Sequence, residues 1–147
     1  MNSTPRIEFH GQTIDVLLQK SQTPSQAECF HYTLPKGSEP VPAHIHAEEE
    51  EFFFIIDGQA CFTINGEKRI AKAGDFIPVH RGTPHGFQQH GDKDCIMWVV
   101  ASGKNSLADY LKGVAEILNG NDSEALAKER FLALFKRYGV TIPNFEL

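Results

Sequence analysis

The strongest constraint on the fold of this chain is the way that turn residues divide it into short runs. The dipeptide Asn65-Gly66 separates two such runs, and Asn-Gly is among the strongest sequence signals for a two-residue β-hairpin turn. The run before it places Ala60, Phe62 and Ile64 at every second position, which predicts a strand with one buried face. Two runs around Gly11-Gln12 predict an opening hairpin in the same way. With roughly nine or ten runs of this kind, the sequence predicts an antiparallel β-sandwich or jelly roll.

In the last third of the chain the spacing of apolar residues lengthens to that of an α-helix. Asn105 or Ser106 is expected to cap a first helix, and a second helix is expected to end at Gly139. The sequence therefore predicts a mainly β chain followed by two C-terminal helices. We expect a barrel with its N-terminal strands over residues 1–103. A helical extension over residues 104–147 is expected to pack on that barrel as part of one domain.

Composition and charge exclude several classes of partner. The chain has 147 residues, of which 41% are hydrophobic and 22% are charged, as is typical of a globular domain. The formal net charge is -5 and basic residues are not clustered, so we expect no nucleic-acid partner. Apolar runs are too short for a membrane span, and the N-terminus lacks the apolar core of a signal peptide, so we expect a cytoplasmic location. The widely spaced Cys29, Cys61 and Cys95 predict free thiols.

Candidate metal ligands begin with two histidines in an extended segment. His44 and His46 lie one residue apart, and the preceding Pro42 disfavours a helix, so both imidazoles point to the same side of the chain. Glu51 opens the next apolar run and can return a carboxylate to the same ion. His85, which begins a later strand, supplies a third imidazole. We therefore predict a metal site at His44, His46, Glu51 and His85.

Two assignments near this site stay open. Glu51 closes a run of four glutamates, and such a run can also be a solvated acidic turn. Glu51 is favoured as the ligand because it alone starts the apolar strand, whereas Glu50 would point to the opposite face. His80 is either an exposed turn residue or an acid or base at the rim of the site, which makes it a tentative catalytic residue.

The two segments that carry these ligands together resemble the paired signature of the cupin superfamily. The first motif, H-x-H with a later glutamate and glycine, is matched by His44, His46, Glu51 and Gly58. Gly37 lies one residue too far upstream to be its leading glycine. The second motif is matched by Gly74, Gly82 and His85. It departs at His80, which replaces the motif proline, and at Gln89, which replaces the motif asparagine.

This resemblance implies a double-stranded β-helix, the jelly-roll barrel of cupins, with one divalent transition-metal ion per chain. Three imidazoles and a carboxylate suit Fe, Mn, Ni, Co, Cu and Zn alike. The segment Arg137-Tyr138-Gly139-Val140 resembles the helical tail of small bacterial cupins similar to quercetin dioxygenase. That likeness implies dioxygenase-type oxidation of a small chelating molecule in the barrel, with Glu51 as a ligand or transient base. A metal-dependent isomerase or decarboxylase, and a non-catalytic sensor or store for a metal or small molecule, are alternatives.

The strand that Glu51 opens also predicts an interface. If Glu51 points into the barrel, alternation along the strand assigns its neighbours to opposite faces. The residues expected to line an apolar pocket are Phe53, Ile55, Phe62 and Phe76. The residues expected on the outer face are Phe52, Phe54 and Ile56. Because so apolar an outer face usually marks an interface, we expect a homodimer through this sheet, unless the C-terminal helices of the same chain cover it.

Overall fold

Strands make up most of the regular structure. The computed structural model describes residues 4–147. Its strands are β1 (Arg6–Phe9), β2 (Gln12–Leu18), β3 (Glu28–Leu34), β4 (Val41–His46), β5 (Glu49–Asp57), β6 (Gln59–Ile64), β7 (Glu67–Lys72), β8 (Phe76–Val79), β9 (His85–His90), β10 (Cys95–Gly103) and β11 (Val140–Thr141). Its helices are α1 (Leu107–Leu118) and α2 (Glu124–Tyr138), and a short 3-10 helix occupies Lys20–Gln22.

The strands form two antiparallel sheets that pack face to face. The larger sheet has six strands in the order β1-β2-β3-β10-β5-β8, and the smaller has five in the order β11-β4-β9-β6-β7. Across the interior, the ring of Phe53 lies 5.2 Å from that of Phe62 and 5.4 Å from that of Phe87, measured between centroids. This architecture confirms the predicted antiparallel jelly roll followed by two C-terminal helices.

Left-handed backbone conformations explain the positions of two hairpin turns. Asn65 and Gly66 have φ angles of 51° and 81°, and a two-residue type I′ turn requires positive φ at both central residues. The first hairpin turns at His10 and Gly11, with φ angles of 50° and 74°. It therefore lies one residue earlier than the Gly11-Gln12 turn that the sequence predicts, because Gln12 is already paired with Phe9.

Alternation along β5 separates two apolar sets, as predicted. Phe53 and Ile55 are buried together with Phe62 of β6, whereas Phe54 and Ile56 are exposed. The inner set therefore joins the barrel core, and the outer set faces away from it. Of the inner set, Phe53 lines the cavity described below, whereas Ile55 and Phe62 do not, contrary to the expectation that all three line an apolar pocket.

The expectation that Phe76 lines the pocket is wrong, because its side chain is 52% exposed. Strand β8 pairs with β5 so that Phe76 lies opposite Phe54, and residues directly opposite in an antiparallel pair share a face. Ile77 and Val79 take the inward positions instead. Phe76 therefore belongs to an exposed apolar surface, here called the outer patch, formed by Phe54, Ile56, Phe76, Trp98 and Val100.

A buried carboxylate fixes the start of α1 to the barrel. Glu28 of β3 accepts hydrogen bonds from the backbone N–H groups of Leu107 and Ala108, at 2.7 and 3.1 Å. It also accepts one from the hydroxyl of Ser106, whose side chain caps the helix, so Ser106 and not Asn105 is the cap. The N–H groups of a first helical turn have no partner within the helix. Here the carboxylate of Glu28 on β3 accepts hydrogen bonds from two of them.

The end of α2 is likewise tied to the barrel. Gly139 ends the helix in the left-handed conformation, with a φ of 65°. Strand β11 follows and pairs with β4, where Val140 lies opposite His46. The C-terminal tail therefore runs beside the strand that carries two of the predicted metal ligands.

Two predictions from composition concern the cysteines and membrane-spanning helices. Cys29, Cys61 and Cys95 are free thiols, as predicted. Within residues 4–147 no helix has both the length and the apolar character needed to cross a membrane.

Candidate metal centre

Strand pairing brings the three predicted imidazoles together. His44 and His46 are two residues apart on β4, and both are buried, with ring centroids 4.9 Å apart. The register between β4 and β9 places His44 opposite His85, and the centroids of these two rings are 4.3 Å apart. Same-face spacing on one strand and direct pairing with the next therefore produce the group.

Glu51 reaches the same point from the facing sheet. Its Oε2 atom is 2.7 Å from Nε2 of His85 and 3.5 Å from Nε2 of His46. One potential ligand atom from each of the four buried side chains lies within 4.8 Å of the others. These residues, His44, His46, Glu51 and His85, are here called the four-residue cluster. They are the set that the sequence predicts.

Hydrogen bonds to the main chain orient two of the rings. Nδ1 of His44 is 2.8 Å from the carbonyl oxygen of Pro42, and Nδ1 of His85 is 2.9 Å from that of Thr83. A carbonyl oxygen only accepts, so each Nδ1 carries a proton and donates it. This leaves Nε2 of each ring for the cluster, which is how metal-binding histidines are usually fixed in one tautomer.

Burial keeps two of the imidazoles neutral. Burial first, and then the neighbouring His85 and His46, lowers the pKa of His44 to about 3. Burial also lowers the pKa of His46 from its ordinary value, although the charge of Glu51 opposes this. A histidine binds a metal ion in its neutral form, so these two side chains are in the binding form at neutral pH.

Glu51 and His85 behave as a pair. Burial alone would raise the pKa of Glu51, but the charge of His46 and the hydrogen bond from His85 lower it to about 2. Burial would lower the pKa of His85, but the hydrogen bond to Glu51 and its charge raise the pKa above the ordinary value. A cation at the cluster would therefore compete with a proton on His85 at a higher pH than for an ordinary histidine.

Glu50 and His80 lie outside the cluster. Alternation turns Glu50 to the other face of β5, where its Oε2 atom is 3.1 Å from Nδ1 of His80 and its Oε1 atom is 3.7 Å from Arg81. The His80 side chain is 72% exposed. Of the two carboxylates considered, Glu51 is therefore the one that joins the imidazoles. His80 is placed as a surface turn residue would be, and not beside the cluster.

A cavity of about 410 Å³ adjoins the cluster. Its strand wall includes His44, His46 and Glu51. Its helical wall is formed by apolar side chains of α1, α2 and the C-terminal tail, namely Leu111, Val114, Leu118, Phe131, Phe135 and Phe145. The position of the cavity places an ion held by the cluster next to a space large enough for a small organic molecule.

Sequence reasoning missed a polar pair on the strand wall. The Tyr32 hydroxyl donates a hydrogen bond to Oε1 of Gln12, and Nε2 of Gln12 donates to the carbonyl oxygen of Glu39 at 2.7 Å. Both Gln12 and Tyr32 are buried and line the cavity. No local signal identifies this pair, because its partners come from different strands and a loop.

Tyr110 is a second residue that sequence reasoning missed. It lies on α1, lines the cavity, and packs edge to face on His46 with ring centroids 5.8 Å apart. Burial, and then the charge of Glu51, raises its pKa. A signal was available in this case, because Tyr110 interrupts the apolar face that runs from Leu107 to Val114 with a hydroxyl.

The donor set and its spacing fit a divalent transition-metal ion. Two ligands bound at about 2.1 Å can be no more than about 4.2 Å apart. The distances of 2.7 and 3.5 Å from Glu51 to His85 and His46 lie within that limit. The ligand atoms of the cluster all lie within 4.8 Å of one another, so the side chains would need to move together only slightly to bind one ion. Mixed nitrogen and oxygen donors are accepted by Fe, Mn, Ni, Co, Cu and Zn.

Comparison of the sequence with known proteins finds relatives that share this segment. The family model described as a cupin domain matches residues 30–101, which include the whole four-residue cluster. The chain is 27% identical over 81 residues to quercetin 2,3-dioxygenase of Bacillus subtilis, an alignment that covers 54% of this chain and 24% of that protein. It is 33% identical over 92 residues to an uncharacterized protein of Methanocaldococcus jannaschii, covering 60% of this chain and 70% of that protein.

A solved structure agrees with these matches. The crystal structure of a predicted oxalate decarboxylase from Thermotoga maritima aligns with a TM-score of 0.59 and 28% sequence identity, over 69% of this chain and 93% of that chain. This chain spans about a quarter, 24%, of the length of the Bacillus enzyme. Similarity therefore supports the fold, and leaves the site and its reaction to be argued from the geometry.

Proposed function

The chain belongs to the cupin superfamily, and on this premise we propose that it is a metal-dependent oxidoreductase of the dioxygenase type, acting on a small chelating molecule. The observation that supports this most directly is the position of the four-residue cluster. Three of its members, His44, His46 and Glu51, line the cavity, so an ion held there would face a bound molecule. His85 completes the ligand set.

The residues of the chain would hold and orient one divalent transition-metal ion. When bound, such an ion supplies a Lewis-acidic centre with positions open to a chelating substrate and to dioxygen. His44 and His85 keep their orientation through their bonds to main-chain carbonyl oxygens. Glu51, whose pKa is lowered to about 2, is ionised at neutral pH and serves as a ligand or accepts a proton from the substrate.

The dioxygenase class needs nothing beyond substrate and dioxygen. In this class both oxygen atoms enter the products and the substrate supplies the electrons, so no separate reductant is required. The helical wall supplies an apolar surface that would limit water near the reacting carbon. The 27% identity to a quercetin 2,3-dioxygenase over 81 residues supports the same class.

Oxygen uptake tests this proposal. Protein loaded separately with Fe(II), Mn(II) or Ni(II) would be offered flavonols, catechols and 1,3-diketones in an oxygen electrode. We expect substrate-dependent uptake with at least one metal and its loss in His85→Ala. His80→Ala is the matched control, because His80 is an exposed histidine outside the cluster. Absence of uptake by every metal-loaded form would contradict the proposed class.

A non-catalytic cupin that binds a metal ion and a small molecule, as a sensor or store, is the second candidate. In its favour, burial and the charge of Glu51 raise the pKa of both Tyr32 and Tyr110, so neither phenol is a base at neutral pH. Such a protein would bind members of the panel in calorimetry without consuming oxygen. Release of carbon dioxide from a carboxylate substrate would instead indicate a decarboxylase, the activity named for the Thermotoga relative.

A further inference from the structure

The two walls of the cavity differ in polarity. The strand wall carries the imidazoles and the carboxylate of the cluster among apolar side chains such as Phe30 and Phe53. On the helical wall, three phenylalanines pack on one another. Their ring centroids are 5.7 Å apart for Phe131 and Phe135, 5.5 Å for Phe131 and Phe145, and 5.0 Å for Phe135 and Phe145. A ligand that filled the cavity would therefore meet the polar groups of the cluster at one point and apolar side chains elsewhere, including the helical wall.

The charges around the cavity limit the charge of that ligand. Within residues 4–147 the cavity-lining side chains include no lysine or arginine, and the carboxylates among them are Glu51 and Glu146. A divalent ion bound by Glu51 and three neutral imidazoles carries a net charge of about +1. A chelating group with one negative charge would neutralise this centre. A dianion such as oxalate would keep an unpaired charge in a buried site, which is costly.

Tyr110 provides a hydrogen-bond donor for the chelating group. Its residue surface is 7% exposed, and its ring lies against His46. The Tyr32 hydroxyl donates to Gln12, whereas Tyr110 lines the cavity and its hydroxyl is not among the buried polar atoms that lack a partner. A phenol hydroxyl has one hydrogen to donate, and a ligand oxygen beside the cluster would accept it.

We propose, building on the metal site proposed above, that the ligand is a monoanionic chelator with an extended apolar body. Its chelating head binds the ion and accepts a hydrogen bond from Tyr110, and its body lies against the helical wall. The cavity volume of about 410 Å³ lies within the range of roughly 300–1,000 Å³ usual for organic ligands. The C-terminal helices then determine which chelators are accepted.

A series of hydroxamates tests this ligand class. Hydroxamates bind divalent metal ions as monoanions through two oxygen atoms, so acetohydroxamate, hexanohydroxamate and octanohydroxamate share one head and differ in the body. Calorimetry on Ni(II)-loaded protein would measure each affinity. Dividing it by the affinity of the same probe for Ni(II)-nitrilotriacetate removes the intrinsic strength of chelation. We expect this ratio to rise by up to about fourfold per buried methylene, and by more than about a hundredfold across the series.

Two variants test the contributions of the chelating head and of the apolar body separately. Tyr110→Phe should weaken all three hydroxamates by a similar factor of about two- to tenfold, as the loss of one hydrogen bond does, with unchanged nickel content. Val114→Asp, in the helical wall, should reduce the increase in affinity with chain length and leave the affinity for acetohydroxamate unchanged. Ala115→Asp is its matched control, because it adds the same carboxylate at the next position of α1, which does not line the cavity. In that variant the affinity should rise along the hydroxamate series as it does in wild type.

The outcomes distinguish this inference from the proposed function. Nickel-loaded wild type with the same ratio for all three hydroxamates would overturn the ligand class and leave the metal site standing. Unchanged affinities in Tyr110→Phe would overturn the role of Tyr110. A wild-type protein that takes up no metal would overturn the proposed function itself, and this inference with it.

Discussion

The two walls of the cavity are positioned in different ways. The cluster on the strand wall depends on the regular geometry of strands, since same-face spacing puts His44 beside His46 and strand pairing puts His85 opposite His44. The helical wall depends on contacts between residues far apart in sequence, such as the carboxylate of Glu28 that binds the start of α1. A motif can therefore reveal the candidate metal centre, whereas the proposed ligand specificity lies in a part of the chain that the motif does not cover.

The largest effect should come from removing a ligand on the strand wall. His46→Ala takes an imidazole from the four-residue cluster and should lower metal affinity by more than the roughly 10- to 100-fold typical of losing an outer partner. Leu111→Ala, on the helical wall, should leave metal affinity unchanged. Metal-buffered titrations of both variants would measure the difference. Similar losses in the two variants would contradict the separation of the walls.

Mutations on the outer face of β5 should affect neither wall of the cavity. We propose that the outer patch pairs with a second copy of the chain, because monomeric proteins rarely expose large contiguous apolar surfaces. Phe54 and Trp98 of this patch have ring centroids 6.5 Å apart. Phe54→Glu should then give a monomer that keeps its metal. Gln59→Glu adds the same charge on the smaller sheet and should remain a dimer.

Light scattering at micromolar concentration measures this assembly. A wild-type protein that is monomeric under these conditions would rule out the proposed pairing. Loss of metal from Phe54→Glu would show that the two faces of β5 are coupled.

The metal affinity should fall as the pH falls, by up to about tenfold per pH unit for each proton displaced. His85 determines the pH at which the decrease in affinity begins, because Glu51 raises the pKa of His85 and the metal must displace its proton. The decrease should therefore begin at a higher pH than the ordinary histidine pKa of about 6.5 would give. His44, with its pKa lowered to about 3, should contribute only in strong acid. An affinity that is constant between about pH 8 and pH 5 would contradict this pairing of Glu51 with His85.

A smaller effect is expected from loosening the start of α1. Ser106→Ala removes the helix cap and one donor to Glu28, and should lower the free energy of unfolding by about 1 kcal/mol. Metal affinity should not change, because the cluster is held by strands. Urea denaturation and a metal titration of the same variant would test both statements. A comparable loss of metal affinity would mean that the helix also positions the cluster.

Local sequence rules account for most of what could be predicted. Asn65-Gly66 located a hairpin because this dipeptide adopts positive φ readily, and same-face spacing on β4 placed His44 beside His46. Phe76 was misplaced because its facing depends on the register with β5, which its own short run does not determine. Tyr110 was missed because its contact with His46 depends on how α1 packs on the barrel.

The central claim is that the cluster of His44, His46, Glu51 and His85 holds one metal ion. Crystals of metal-loaded protein, measured on both sides of the absorption edge of the metal, test it most directly. We predict one anomalous peak per chain within bonding distance of all four side chains, at about 2.0–2.2 Å. No peak at the cluster in fully loaded protein, or a peak held by other residues, would contradict the account.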